Sequence, residues 1–487
     1  MMKNQSDVSY DIVPSAPKGT VIFTKEPVRT TRVRYMKQTG IFLLATLGPM
    51  NFGMGLSWPN TIASDLQHDN STLFGTELQL LDWQMDMLSS LVFIGTLPGF
   101  LFGGWLVARF GRRRSMMGLV LPCMVGWILV ALAVNSTMIL LGRFICGFSF
   151  ALVAVSVRTY LSEISDTAIR GAAILTAECL RSFGAIVIIA FGMCSSWYYS
   201  AFFCAFQILI SGLVAVPFLP ESPTYLTVTG KDEEARSVLT RLRGKYFDVD
   251  AEIQQLKKQN NSKEGNSGWG ALLKPEIMKK CLIVFGLFGI SNFCGTEVIK
   301  ANAVRILQTS GLSFDAYTST LIIFVLLLSG NVFQALLVDR IGRRKCLVLS
   351  LILLVIAYTI LGTYVYLDTS EAITSDSQDA GSEGKINAWS WIPTACLMVC
   401  SFSGSLGIAP TPWMLAVEYF PTSIRSQVMS VCSFFGSVMS FASLQVYSPL
   451  QEALTPAGLY WSYAFFAVIG IVYSLTIVQD TTGQKVG

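Results

Sequence analysis

Two pairs of oppositely charged residues stand inside long apolar stretches of this sequence. Glu178 is followed three residues later by Arg181, and Glu297 is followed at the same interval by Lys300. An ionisable side chain within hydrocarbon is costly and usually functional, and residues three apart share one face of a helix. Each pair therefore either neutralises itself or binds a polar or ionised solute. A carboxylate beside a cation can also titrate when its solvation changes, which would allow proton coupling.

A second set of charges is repeated in the two halves of the sequence. Glu163 precedes Arg170 by seven residues, and Glu418 precedes Arg425 by the same interval. A short basic turn with a central glycine also occurs in each half. Guanidinium groups present several donors in a fixed fork, so we expect a latch that closes when the two halves meet. Its predicted members are Arg109, Arg112, Glu163, Arg170, Asp339, Arg340, Arg343, Glu418 and Arg425.

The composition is that of a membrane protein, since 52% of the 487 residues are hydrophobic and only 14% are charged. Soluble domains carry about 25% charged residues. Apolar runs of about 20 residues are each long enough to cross the hydrocarbon as a helix. We find about twelve, near residues 39–62, 84–107, 114–134, 138–160, 172–193, 199–219, 281–305, 317–338, 346–366, 391–414, 427–448 and 458–478.

These spans divide the chain into two sets of six, at residues 38–226 and 281–479. Residues 1–37 form a basic arm and residues 480–487 a short tail. An excess of Lys and Arg marks the cytoplasmic side, and an even number of spans returns the chain to that side, so both termini are expected to be cytoplasmic.

The polar segment 227–280 between the two sets is expected to be cytoplasmic and merely to join them. Val238, Leu239 and Leu242 recur at helical spacing, which predicts a short amphipathic helix. A second short helix is expected over residues 251–258, followed by a flexible stretch over residues 260–268.

Two polar loops, at residues 64–83 and 368–387, are expected on the opposite side. The second is acidic, in contrast to the basic turns. The first contains the sequon Asn70-Ser71-Thr72, which makes Asn70 a candidate for glycosylation. Within the second span, Gly95, Gly99 and Gly103 recur every four residues, a pattern typical of close helix packing.

Several motifs together resemble the sugar porters of the major facilitator superfamily, in particular the insect facilitated trehalose and hexose transporters. The resemblance covers about residues 38–483 and rests on the segments 142–147, 160–171, 220–226, 338–344, 410–413 and 418–425, among which Pro220-Glu221-Ser222-Pro223 is highly specific. It implies an all-α membrane protein with twelve transmembrane helices in two six-helix bundles around a central cavity, with short cytoplasmic helices between them.

The resemblance also implies a set of solute-binding positions, and most of them depart from the family pattern. Where the family has two glutamines and an asparagine in the seventh span, this sequence has Ser291, Asn292 and Glu297. A family glutamine in the fifth span becomes Glu178, and Gly436 stands in the eleventh span where the family usually has asparagine. The aromatic residue is kept as Trp413. Flexible positions in the tenth span are expected to act as a hinge, namely Gly404, Gly407, Pro410 and Pro412.

The expected function is carriage of a sugar (a hexose or a trehalose-like sugar) or a related polyol by alternating access. Proton-coupled members of the family carry an aspartate in the first span where this sequence has Gly55, which favours facilitated diffusion. Two alternatives are a proton-coupled carrier of a non-sugar polar solute, with Glu178 and Glu297 as coupling groups, and a solute sensor that transports little.

Enzymatic activity is not expected. The sequence has one histidine, His68, in a predicted loop, and shows neither a nucleophile with its base nor a metal-binding pattern. We therefore expect no cofactor and no metal. The expected partners are a small-molecule solute and the lipid bilayer, with no nucleic acid and no obligate protein partner. The family resemblance implies a multi-pass protein of the plasma membrane.

Overall fold

Helices account for nearly all of the described chain. The computed structural model describes residues 28–68, 71–165, 170–243, 248–264, 274–309, 316–375, 389, 391–420 and 424–478. Its β-structure in these ranges is an isolated bridge between Ser71 and Glu77. Inside a bilayer, an apolar chain has no water with which to hydrogen-bond its backbone, and helices satisfy these groups internally.

The described residues of the first half form nine α-helices, and a π-helical and a 3-10 turn over residues 211–218 continue the last of them. The first span runs over Met36–Ala63 with two short interruptions, and the third runs over Arg112–Ala131 with one. The helices are α1 (Val28–Ala45), α2 (Leu47–Ser57), α3 (Pro59–His68), α4 (Asp82–Phe110), α5 (Arg112–Gly118), α6 (Val120–Ala131), α7 (Ser136–Ile164), α8 (Arg170–Gly192) and α9 (Trp197–Ile210).

Three helices follow before the second half, namely α10 (Pro223–Val228), α11 (Asp232–Arg243) and α12 (Val249–Glu264). The predicted amphipathic helix is confirmed as α11, which buries Leu239 and Leu242. The expectation of flexibility over residues 260–268 is wrong up to Glu264, where α12 ends, and the remaining positions lie outside the described residues.

This linker is packed onto the first half, which corrects the expectation that it merely joins the halves. Arg243 is 5% exposed and pairs with Glu252 through two nitrogens, at 3.3 and 3.1 Å. Its Nη1 also donates to the carbonyl of Ile164 at the end of α7, at 3.2 Å. Gln38 in α1 donates to the carbonyl of Leu242 at 3.2 Å. One buried arginine thus joins both linker helices to the first bundle.

Eight α-helices are present in the described part of the second half. The seventh span is broken after Phe293, where Gly295 takes a positive φ of 74°. The helices are α13 (Pro275–Phe293), α14 (Thr296–Thr309), α15 (Ala316–Ile341), α16 (Arg343–Ser375), α17 (Ile392–Ser403), α18 (Thr411–Glu418), α19 (Arg425–Gln445) and α20 (Tyr447–Thr476).

Eleven stretches of the described chain are long and apolar enough to cross a membrane. Helix α8, with 23 residues, packs among them against α2 and α15 and completes the predicted set of twelve. The two halves meet where α4 packs on α19 and α8 on α15. Phe93 from the first half lies in the core of the second, while Phe324 and Leu327 of the second lie in the core of the first.

The glycines of the second span face α7 at very short distance, as the helix-packing interpretation predicts. A Cβ built on Gly95 would lie 2.2 Å from the carbonyl oxygen of Phe144, and one on Gly99 would lie 2.6 Å from that of Phe148. Gly104, on the same helix, has open space where its Cβ would stand. The stripe therefore allows the backbones of α4 and α7 to touch.

We expect Gly95→Ala to destabilise the folded protein by about 1–3 kcal/mol, because the added methyl group overpacks the α4–α7 contact. Gly104→Ala is the matched control on the same helix, and it should leave the melting temperature in detergent unchanged or slightly raised, since alanine is favoured in helices. The melting temperatures of both variants are measured by size-exclusion chromatography of heated samples. Equal melting temperatures for the two variants would contradict the assigned helix contact.

Candidate functional site

Both basic turns reverse the chain at a glycine with positive φ, 89° at Gly111 and 100° at Gly342. The next residue in each turn starts a helix, so Arg112 and Arg343 stand at corresponding corners of the two halves. We call this end of the bundle the basic end, and the opposite end the acidic end, after Asp82 and Asp86, which lie near the start of α4.

In the first half, the basic turn is tied to the end of the fourth span. Arg112 Nη2 lies 2.6 Å from Glu163 Oε1, and Ser222 donates to the other oxygen of Glu163. Glu221 accepts from the backbone N–H groups of Arg112 and Arg113, at 3.0 and 3.2 Å. The Pro-Glu-Ser-Pro element of residues 220–223 thus supplies both a carboxylate and a hydroxyl to this corner.

The second half repeats the ion pair, since Arg343 Nε lies 3.1 Å from Glu418 Oε1. Next to it, Lys280 of α13 donates to the carbonyl of Tyr419 at 3.2 Å. The two ion pairs found among the described latch residues therefore each join elements of a single half. A network across the halves stays a prediction.

Arg109 and Arg340 are the other predicted latch residues whose side chains are described. Arg109 accepts a hydrogen bond on its carbonyl from Tyr225 at 3.3 Å, and Arg340 is exposed. The side chains of Arg170, Asp339 and Arg425 lie outside the described part of the structure, as does Asn70.

Three charged side chains meet on the inner face of the first half. Glu178 Oε2 lies 2.8 Å from Arg181 Nε, which confirms the pair predicted from their spacing. The other oxygen of Glu178 lies 3.2 Å from Arg158 Nη2, which comes from α7. One carboxylate therefore holds two guanidinium groups, and the sequence analysis had not connected Arg158 with it.

A second charged pair faces these three from the other half. Lys300 Nζ lies 2.7 Å from Glu297 Oε1, so the pair predicted from their spacing is also confirmed. Glu297 also interacts electrostatically with Arg181 across the boundary between the halves. We call these five residues the charge row, in the order Arg158, Glu178, Arg181, Glu297 and Lys300.

An aromatic wall and a pocket adjoin the row at Arg158. The guanidinium carbon of Arg158 lies 5.0 Å from the ring centroid of Trp413 in α18. Trp413 in turn packs edge-on against Phe288 at 4.8 Å. A small pocket opens between α2, α7 and α8. Its lining comprises Pro49, Phe52, Phe150, Val153, Ala154, Val157, Arg158, Ala177, Glu178 and Arg181.

The other predicted binding positions are engaged within the protein in this conformation. Asn292 donates to the carbonyl of Phe288 and accepts from Ser440, both at 2.8 Å, and Ser291 is 7% exposed. At Gly436, a Cβ would lie 3.1 Å from the ring of Phe288, so this glycine makes room for an aromatic side chain.

The predicted hinge region of the tenth span departs from α-helical geometry. Residues 404–408 form a π-helical turn between α17 and α18, and Pro410 is the N-cap of α18. Ser350 of α16 accepts from the N–H of Ile408 at 3.1 Å and donates to the carbonyl of Ser403 at 2.6 Å. π-turns occur often at functional positions. Gly404, Gly407, Pro410 and Pro412 thus all lie in or directly after a break in the helix.

At the acidic end, an ion-pair cluster bridges the two halves. Arg305 of α14 lies 2.8 Å from Asp82 and 3.1 Å from Asp86, both on α4. Asp86 is 1% exposed and also accepts from the N–H of Ser448 at 3.2 Å. We call Arg305, Asp82 and Asp86 the acidic-end lock.

Asn60 strengthens the same contact from the first span. Its Nδ2 donates to the carbonyl of Lys300 and its Oδ1 accepts from the N–H of Val304, both at 3.0 Å. These two backbone groups flank Asn302, where α14 departs from helical geometry. Farther along the boundary, Ser90 bonds Gln445 at 3.0 Å. Polar contacts therefore close the acidic end between the halves.

The comparison with known families decides the identity of this architecture. Residues 46–486 match the family described as "Sugar (and other) transporter". This chain belongs to that family. It is a membrane transporter and not an enzyme, and its predicted place among the sugar porters of the major facilitator superfamily is confirmed.

Relatives of the transporter are found in insects. It is 27% identical over 485 residues to the facilitated trehalose transporter Tret1 of Apis mellifera ligustica, covering 99% of this chain and 93% of the relative. The protein of the same name from Culex quinquefasciatus is 26% identical over 488 residues, with coverages of 100% and 89%.

A solved structure shares the fold of the transporter. It is the partially occluded inward open conformation of the xylose transporter XylE from E. coli. The TM-score is 0.75 at 18% sequence identity, and the likeness covers 92% of this chain and 99% of the other. At this identity the likeness establishes the fold, which is the predicted twelve-helix arrangement.

Sequence reasoning missed the acidic-end lock of the transporter, although a signal was present. Asp86 and Arg305 both fall within or at the edge of predicted spans, and neither has an opposite charge three or four residues away. A charge within a span must find a partner on another helix. Pairing unpartnered acidic residues of one half with unpartnered basic residues of the other would have predicted this contact.

We expect Asp86→Asn to loosen the acidic end, because it removes a buried charge from the lock, whereas Asp82→Asn changes a side chain that is 76% exposed. Breaking a buried pair is far more costly than breaking an exposed one. Hydrogen exchange of residues 59–65 and 300–308, followed by mass spectrometry, should speed up by about tenfold or more only in Asp86→Asn. Equal exchange in both variants would show that Asp86 does not hold the halves together.

Proposed function

We propose that this protein moves a sugar, hexose or trehalose-like, or a related polyol across the membrane by alternating access and facilitated diffusion. The observation that carries the proposal is the pocket beside the boundary between the halves, which is lined by Arg158, Glu178 and Arg181 of the charge row and lies close to Trp413. Solute sites are typically concave and mostly apolar, with a few polar groups that fix the orientation of the solute. The names of the insect relatives support trehalose or a similar sugar as the solute.

The proposed solute contacts are Glu178, Ser291, Asn292, Glu297, Trp413 and Gly436. The indole of Trp413 offers a flat apolar face for a sugar ring and one N–H donor. Ser291 and Asn292 are buried against other helices here, so they would reach the solute after α13 and α14 rearrange. Gly436 would act indirectly, by leaving space for Phe288.

Alternating access requires that one end opens while the other closes. The acidic end is held by the lock and by Asn60, whose bonds cross the boundary between the halves. The latch residues of the basic end would exchange their partners within each half for partners across the halves when that end closes. The π-turn at residues 404–408 would supply the bending, with Pro410 and Pro412 at its edge.

Two features support transport without proton coupling. Gly55 replaces the aspartate of coupled relatives, and its carbonyl accepts from the buried Arg143 at 2.6 Å. Arg143 also donates to the carbonyl of Leu88 at 3.0 Å. A carbonyl does not titrate, so this pair gives a proton no site at which to drive the cycle.

The proposed topology follows the basic residues. Both termini are cytoplasmic, the protein lies in the plasma membrane, and the acidic end faces outward, where Asn70 would be glycosylated. In this scheme residues 1–37 are the arm, 38–226 the first bundle, 227–280 the linker, 281–479 the second bundle and 480–487 the tail.

We expect saturable uptake of glucose, trehalose or a polyol in cells that lack their own sugar carriers. Trp413→Ala should reduce the apparent affinity by about tenfold, since it removes the stacking face and the contact with Arg158. Trp413→Phe is the matched control, because it retains an aromatic face. Wild-type protein that reaches the cell surface and takes up none of these solutes would overturn the proposed function.

A further inference from the structure

The charge row is not neutral. It contains three cations (Arg158, Arg181 and Lys300) and two carboxylates (Glu178 and Glu297), which gives a net charge of +1. Both carboxylates have a cation within hydrogen-bond distance, at 2.8 Å for Glu178 and 2.7 Å for Glu297. We therefore count both as anions, and one positive charge of the row remains unbalanced.

The excess charge can be placed at the Arg158 end of the row. Glu178 divides its two oxygens between Arg158 and Arg181, and the Arg181 pair is the shorter, at 2.8 Å against 3.2 Å. Arg181 also interacts with Glu297 across the boundary, whereas Lys300 has Glu297 within 2.7 Å. Arg158 shares a single carboxylate oxygen and has further N–H donors, since a guanidinium carries five.

Arg158 is within reach of a solute, as are Glu178 and Arg181, which line the same pocket. The side chain of Arg158 is 34% exposed and lies on the wall of the pocket. Its guanidinium lies over the ring of Trp413 at 5.0 Å. The pocket surface near it, formed by Phe52, Val153 and Val157, is apolar. The site thus offers an aromatic face for a sugar ring beside donors suited to a carboxylate.

An unbalanced charge within a span carries a desolvation penalty, and a bound anion would reduce it. A neutral sugar would border the same charge without balancing it. A solute with one negative charge brings the row to zero, and a guanidinium binds a carboxylate through two parallel hydrogen bonds. The sign and the size of the excess charge therefore both favour a monoanion.

We propose that the preferred solute is a sugar acid with one carboxylate, held by Arg158 next to Trp413. This inference rests on the proposed function, because it names the class of sugar that the same site selects. Neutral sugars still enter the site but bind more weakly.

The experiment uses the full-length protein in proteoliposomes and compares glucuronate with glucuronamide, a neutral sugar of nearly the same shape. Each compound is tested as an inhibitor of the counterflow of radiolabelled glucose. Uptake of labelled glucuronate is measured directly. Wild-type protein should be half-inhibited by glucuronate at a concentration about tenfold lower than by glucuronamide, equivalent to about 1.4 kcal/mol.

Variants of the row test the cause of this preference. Arg158→Gln brings the net charge to zero and should make the two inhibitors equal, whereas Arg158→Lys keeps the charge and should keep most of the preference. Glu297→Gln raises the net charge to +2 without altering Arg158, and the preference for glucuronate should persist or grow. Monodisperse elution in detergent confirms that each variant is folded.

The outcomes separate the two proposals. Glucose counterflow with equal inhibition by glucuronate and glucuronamide would overturn the sugar-acid preference and leave the proposed function standing. A preference for glucuronate that survives in Arg158→Gln would overturn the role of Arg158. Absence of transport for glucose, trehalose, a polyol and glucuronate alike would overturn both proposals.

Discussion

The structure depends on one constraint, which is that a charge inside the spans must be met by another polar group of the protein. Hydrocarbon does not solvate charges, so each such side chain requires a polar partner on a neighbouring helix. Glu178 brings α7 and α8 together, Arg143 fixes α7 against the carbonyls of α2 and α4, and Arg305 ties α14 to α4. Apolar packing alone would leave the rotation of these helices less specified, because lipid and protein are about equally apolar.

The parts of the fold that depend on local pattern could be predicted from the sequence. The spans follow from the length of the apolar runs. The pairs Glu178–Arg181 and Glu297–Lys300 follow from helix geometry, which places residues three apart on one face. The amphipathic helix α11 follows from its spacing, and the glycine stripe on α4 from the close contact that such stripes permit. Each of these inferences needs only one segment of chain.

The contacts that the sequence did not yield all join segments far apart in the chain. The bonds of Asn60 to the backbone of α14, and the lock between Arg305 and Asp86, depend on how the helices are rotated and how the halves are docked. Arg158 lies within a predicted span, but its position over Trp413 depends on α7 and α18 meeting across the boundary between the halves. The packed linker was missed for the same reason, since Arg243 finds Ile164 on another helix.

The contact of Gly53 with α8 bears on how this transporter could have diverged. A Cβ on Gly53 would lie 1.7 Å from the carbonyl oxygen of Arg181, so α2 and α8 touch at the charge row. Any larger residue at position 53 would displace the backbone that carries Arg181. A substitution that changes solute preference can therefore occur at a position that never contacts the solute, because a change in α2 moves the charges of α8. A search for the determinants of selectivity that is confined to the cavity wall would overlook them.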